Sequence, residues 1–239
     1  MPVLVPTDPQ LIADLVDANH ILFHQGVVDA FGHVSARHPD RADRFLLARN
    51  MAPGSVTASD ILQFDLDGNA IEAGGQRVYL ERFIHGEIFR ARPDINAVVH
   101  SHSPALVPFT VVPSVPFRPI AHMCGFLGAG AGRFEIRDTA GAATDLLIRN
   151  RTLGHALATS LGAHSVVLMR GHGSTTVAPS LKQVVFRAVY AEVNAKLLAD
   201  ALRLGPVEYL SEAEARAATA IEKEIERPWQ FWKAEAKSR

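Results

Sequence analysis

Apolar residues recur along this chain with two alternating periods. Asp8 is placed to cap a helix opened by Pro9. Leu11, Ile12, Leu15, Ile21 and Leu22 follow at helical spacing, and Gly26 can end the run. "GHVSARH" (32–38) and "DRFLLAR" (43–49) alternate as strands do. "ILQFDLDGNAIE" (61–72) predicts a hairpin turning at Asp67-Gly68. Leu80 to Arg92 reads as a helix with Phe83, Ile84 and Ile88 inward, and Pro93 blocks its continuation.

"INAVVHSH" (95–102) is a strand. "VPFTVVPSVPFRPI" (107–120) holds too many prolines for a central strand and predicts an edge strand or a loop. "GFLGAGAG" (125–132) reads as a flexible loop. "TLGHALATSLG" (152–162) is a short helix ending at Gly162, and "HSVVLM" (164–169) is a buried strand. Ser180 caps a long helix from Leu181 to Leu204, with Gly205 after it. Ser211 and Glu214 form a capping box for an alanine-rich helix that ends near Pro228. Strands and helices alternate without a linker, repeat or low-complexity stretch. The pattern predicts one α/β domain over residues 1–239, three-layered, with a C-terminal helical extension from about 211 packed outside it. The Asp-Gly hairpin makes the sheet at least partly antiparallel.

Composition narrows the partners. Of 239 residues, 48% are hydrophobic, enough for a sizeable core. The net charge is −1, and no basic block suggests a nucleic-acid surface. Cys124 is the lone cysteine, so no internal disulfide forms. "MPVLVPTDPQ" lacks a secretory pattern, and no run of about 18 apolar residues predicts a membrane span. These features predict a soluble, cytoplasmic protein.

The histidines carry the candidate chemistry. His100 and His102 alternate onto the face of Val98, with Cα atoms about 6.6 Å apart at two strand rises of roughly 3.3 Å. Two imidazoles at that spacing can converge on one ion, since Zn–N bonds are about 2.0–2.1 Å. A polar strand end is the alternative. His172 lies between two glycines directly after a predicted strand, where a third ligand or a simple turn histidine can stand. Glu81 opens the Leu80 helix beside its buried stripe. It either answers the helix dipole or is aimed into a site as an acid or base. Arg118 can bind a carboxylate or decorate an edge, and His33 and His122 can face a pocket or fill the interior. His85 is read as a packing residue. No dinucleotide fingerprint, phosphate loop or nucleophile elbow occurs.

With these residues in hand, the chain resembles the class II aldolase/adducin family from about Leu11 to Leu204. "GHVSARH", Glu81, "PDINAVVHSHSPA", "VVLMRGHG" and the long following helix stand in the family's order. The resemblance implies a three-layer α/β/α sandwich around a mainly antiparallel sheet, and a homotetramer with sites near subunit interfaces. It implies His100, His102 and His172 as ligands of a divalent metal, with Glu81 as the catalytic acid/base or as the group that contacts the metal in the resting site. Three histidines suit Zn, Mn, Fe or Co.

Two departures matter. The sugar-phosphate branch carries "GNxS" where this chain has Gly32-His33-Val34-Ser35, and a Ser-Ser pair where it has Val78-Tyr79-Leu80. "ERFIHGEIFRARPD", "HSHSPALVPF", "HMCGFLG", "FEIRD" and "RGHG" are more similar to a decarboxylase branch. Its members act on hydroxylated aromatic or heteroaromatic dicarboxylates, or on carboxylated hydroxymuconic semialdehydes. That similarity implies a metal-dependent carboxy-lyase, with an enolate-like charge stabilised by the ion and a protonated Glu81 delivering the proton that replaces CO2 on carbon. The expected substrate-binding residues are His33, Arg37, Arg118 and His122, with Tyr190 or Tyr209 reaching in from a neighbouring subunit. An aldolase or epimerase on a small non-phosphorylated substrate, and a non-catalytic adducin-like module, are the alternatives.

Overall fold

The computed structural model describes residues 7–238. Its strands are β1 (His33–His38), β2 (Arg41–Ala48), β3 (Ile61–Asp65), β4 (Ala70–Ile71), β5 (Ala97–Ser101), β6 (Gly132–Phe134), β7 (Val166–Met169) and β8 (Gly173–Ala178). They form one sheet in the order β4-β3-β2-β1-β5-β8-β7-β6. Every pairing is antiparallel except β6 with β7. The helices are α1 (Pro9–His24), α2 (Phe83–Ala91), α3 (Val107–Val111), α4 (Arg137–Ala140), α5 (Arg151–Leu161), α6 (Leu181–Leu204), α7 (Glu212–Ala218) and α8 (Glu226–Lys237).

Strand alternation sorts the core into two clusters. Val34, Ala36, Ala97 and Val99 pack with α1, α6 and α8. Phe45, Val98, Val167 and Val177 point the other way, onto α2 and α5. The result is a three-layer α/β/α arrangement around a mainly antiparallel sheet. A one-residue slip in β5 would exchange the two faces, so the register is fixed by burial on both sides. It also fixes the chemistry. His100 shares the α2 face with Val98 and stands directly opposite His33 of β1.

The predicted caps of α1 and α6 hold, since Asp8 accepts from Gln10 N and Ser180 from Gln183 N. Gly162 ends α5 as expected, and Asn150, which accepts from Leu153 N, caps its start. Gly68 takes a left-handed φ of 81° in the hairpin between β3 and β4.

Three expectations need correction. The proline-rich stretch contains the short helix α3, with Pro108 in its first turn, where a missing N–H costs no helical bond. The alanine-rich helix stops at Ala218. Pro228 lies in the first turn of a further helix, α8, for the same reason. The glycine-rich stretch is not a free loop at its start: His122–Leu127 is a 3-10 turn with Gly125, Phe126 and Leu127 buried. A Cβ on Gly125 would lie 2.5 Å from the Ala215 carbonyl oxygen, so glycine there permits the close approach of α7. Among the described residues, no helix is long and apolar enough to cross a membrane.

Candidate active site and metal centre

β5 ends where the antiparallel β8 begins, and the site is built there. β5 delivers His100, the chain just beyond it delivers His102, and the turn between β7 and β8 delivers His172. Gly173 allows this closeness. A Cβ there would run into the backbone carbonyl of Ser101 on the neighbouring strand. Glu81 enters from the opposite layer. It sits in the 3-10 turn Leu80–Arg82 leading into α2, with φ −89° and ψ 18°, outside helical geometry. That break turns its carboxylate from the helix axis toward the sheet. The backbone N–H of Ile148 donates to Oε1 at 2.9 Å and holds it there.

The four side chains converge. Their ligand atoms all lie within 4.8 Å of one another. His102 Nε2 is 3.0 Å from both His100 Nε2 and His172 Nε2. Glu81 Oε2 is 3.5 Å from His100 Nε2 and 3.4 Å from His172 Nε2. The tautomer of His100 follows from its neighbours. Nδ1 lies 3.1 Å from the Ser174 carbonyl, which can only accept, so Nδ1 carries the proton and Nε2 presents a lone pair. Burial lowers the pKa of His100. Burial, with the neighbouring charges of His100 and His172, lowers that of His102 to about 4.

Neutral imidazoles pointing nitrogens at one spot, beside a carboxylate, are a donor set that fits a divalent cation. The nitrogen spacing is a few tenths of an ångström under the roughly 3.3 Å that Zn–N bonds of about 2.0–2.1 Å give in a tetrahedron. Burial favours the neutral form of Glu81, whereas hydrogen bonds and charge from His100 and His172, when those rings carry a proton on Nε2, lower its pKa below the usual carboxylate range.

A cavity of about 340 Å³ opens over Glu81, His102 and His33. Phe31, Met51, Tyr79, Leu80 and Leu147 make most of its wall, and Asn50 adds a polar edge. Tyr79 and Leu80 occupy the positions where small hydroxyl side chains would cradle a phosphate. The Tyr79 hydroxyl donates to the Met51 carbonyl, and its ring lies tilted against that of His33, with centroids 4.6 Å apart.

The other predicted binding residues lie elsewhere in this chain. Arg37 spends its guanidinium on the carbonyls of Ile95, Ala42, Phe89 and Arg92 at the far end of β1, so it clamps the sheet to α2. Arg118 donates to the Leu210 carbonyl and lies 5.2 Å from the Tyr209 ring centroid. His122 is exposed, and Tyr190 lines a separate groove with Phe186 and Trp232. None of these five lines the cavity over Glu81. His85 is more than a packing residue: it is wholly buried and hydrogen-bonded to both Ser35 and His33. Its spacing of four from Glu81 and the alternation of Ser35 with His33 carried that signal. Phe31, Asn50 and the Ile148 N–H had none, because loops bring them in.

The chain is 36% identical over 251 residues to the decarboxylase tropJ of Talaromyces stipitatus, covering 95% of this chain and 94% of that protein. It is 36% identical over 197 residues to 3,4-dihydroxyphthalate decarboxylase of Arthrobacter keyseri, covering 75% and 74%. Among solved structures, an aldolase II superfamily protein from Pseudomonas syringae superposes with a TM-score of 0.80 at 21% identity, over 98% of this chain and 95% of that one. At that identity the likeness concerns the fold. The Class II Aldolase and Adducin N-terminal domain matches residues 13–199, and the chain belongs to that family.

Proposed function

We propose that the protein is a metal-dependent decarboxylase of a hydroxylated aromatic or heteroaromatic acid. The observation that carries this reading is an apolar-walled cavity that opens onto Glu81 and His102, two members of the cluster of three imidazoles and one carboxylate. Similarity to proteins named decarboxylases, over 95% of the chain in one case and 75% in the other, supports it. Tyr79 and Leu80 at the cavity wall argue against a sugar phosphate, since neither offers a free donor to phosphate oxygens.

His100, His102 and His172 would hold the ion. A divalent ion there supplies a Lewis acid that draws charge from a substrate oxygen as the C–C bond breaks. Glu81, tethered by Ile148, accepts the proton of the substrate hydroxyl at Oε2. It then returns that proton to the carbon that has lost CO2. The apolar walls keep water from competing for that carbon. A dicarboxylate substrate, or a carboxylated hydroxymuconic semialdehyde, would leave a second anionic group to bind. On this chain Asn50 and His33 are the cavity's polar groups for it. Tyr209 or Tyr190 would come from a neighbouring copy in the proposed homotetramer.

The test is a CO2-release screen with added Zn, Mn, Fe or Co over ortho-hydroxy aromatic and pyridine carboxylates. CO2 release that needs the metal is expected. Efficient retro-aldol cleavage with no CO2 release would instead favour an aldolase. A purified protein that binds no divalent ion would favour an adducin-like module.

A further inference from the structure

Ser35, His85 and His33 form a line of hydrogen bonds that ends at the cavity. Ser35 Oγ is 2.6 Å from His85 Nδ1, and His85 Nε2 is 2.7 Å from His33 Nδ1. Ser35 and His85 have no exposed surface, and His33 lines the cavity wall. The line follows from two periodicities. Alternation along β1 puts His33 and Ser35 on the α2 face, and α2 presents His85 one turn after Glu81.

Each contact joins one proton to one lone pair, so the line has two possible polarities. In the first, the Ser35 hydroxyl donates to His85 Nδ1 and His85 Nε2–H donates to His33 Nδ1. His33 then keeps its proton on Nε2. In the second, His33 Nδ1–H donates to His85 Nε2, and His85 Nδ1–H donates to Ser35 Oγ. The Ser35 proton is then stranded, because its Oγ makes no other hydrogen bond in a closed interior. Buried donors without acceptors have lost water and gained nothing, and native interiors avoid them. A doubly protonated His85 fares no better. Its ring lies against Phe45, with no carboxylate in hydrogen-bonding reach.

We propose that Ser35 and His85 are positioning residues that lock His33 as an Nε2–H donor toward the cavity, where it binds an acceptor oxygen of the substrate. The register places this donor beside the ligand cluster, with the His33 and His100 ring centroids 5.1 Å apart. One substrate can therefore put one oxygen toward the cluster and a neighbouring oxygen on His33. That selects molecules with two adjacent anionic or polar oxygens, such as an ortho-hydroxy carboxylate. The locked tautomer stands on geometry alone; the identity of the oxygen rests on the proposed decarboxylase function.

The test uses full-length protein labelled with 15N-histidine and loaded with Zn2+, above neutral pH. Two-bond 1H–15N spectra report which ring nitrogen carries each proton, and His33→Gln identifies the His33 signals. An Nε2–H tautomer at His33 is expected. An Nδ1–H tautomer or a doubly protonated ring overturns the proposal. Ser35→Ala should turn the single tautomer into a mixture and raise KM about tenfold, the scale of one weakened charge-assisted hydrogen bond. Ser35→Thr should restore both. A Ser35→Ala protein with unchanged tautomer removes Ser35 from the relay. Salicylate serves as the ligand probe: its addition should shift the His33 Nε2–H signal, and absence of any shift there overturns the binding role. Because the tautomer is read without turnover, a failed CO2-release screen sinks the proposed function and leaves the relay result standing.

Discussion

His102 has its Nε2 between those of His100 and His172, so it is the ligand whose loss opens the cluster most. His102→Ala is expected to lose bound metal and turnover together, as measured by elemental analysis and CO2 release. Glu81→Gln should keep the metal, because the three imidazoles remain, while kcat falls by about 10²–10⁴ as proton transfer is lost. Retained turnover in Glu81→Gln would remove the carboxylate from the proton path. The buried histidines also set an acid limit. Burial pushes His85 down to about 3, whereas an unfolded histidine titrates near 6.5. Between those values the unfolded chain binds a proton that the folded chain refuses. Stability is therefore full above about pH 6.5 and declines as pH falls toward 3, by about 1.4 kcal/mol per pH unit for each such group. Urea midpoints of metal-free protein should drop between pH 7 and pH 5, and a flat profile would contradict the assigned neutral state. The spacing of the histidine cluster was legible because strand alternation and flanking glycines are local. The fate of Arg37 was not. Its four carbonyl partners are set by where α2 and β2 end, which no local pattern reports.

At the scale of elements, the β5–β8 contact decides whether the site exists. Gly173 faces the Ser101 carbonyl too closely for any side chain, and that carbonyl belongs to backbone that cannot swing aside. Gly173→Ala should cost about 1–3 kcal/mol, the range for overpacking, in chemical denaturation. It should also weaken metal binding, because His172 precedes it and His100 and His102 flank its contact. A variant with native stability and native metal affinity would show that the strands can part without effect. Most elements were legible, since α1, α5 and α6 carry their caps in sequence and the strands alternate. The errors cluster at prolines. The prolines from 108 onward argue for an edge strand or a loop and Pro228 for a helix end, whereas Pro108 and Pro228 each sit in a first turn where a helix tolerates them. Sequence marks the residue but not its position within a turn.

For the whole molecule, the Arg118–Tyr209 pair and the exposed His122 lie outside the cavity of their own chain. The homotetramer proposed for this protein would bring such residues to a neighbour's site. Light scattering should then give about 104 kDa, four times the chain mass of 25.9 kDa. Glu81→Gln and Tyr209→Phe chains, each weakly active alone, should recover turnover when refolded together. No recovery would keep Tyr209 out of the reaction. The strand order has a further consequence, for synthesis. β5 lies between β1 and β8, and its pairing with β8 joins Val98 to Val177. His172 leaves the ribosome 70 residues after His102. At about 5–20 residues per second, that leaves roughly 4–14 seconds in which a nascent chain exposes His100 and His102 without the third imidazole. Two imidazoles hold an ion loosely and without choosing its geometry. A chain that takes up the proposed metal would therefore select it late, after its C-terminal half has been made, and in whichever compartment that half folds.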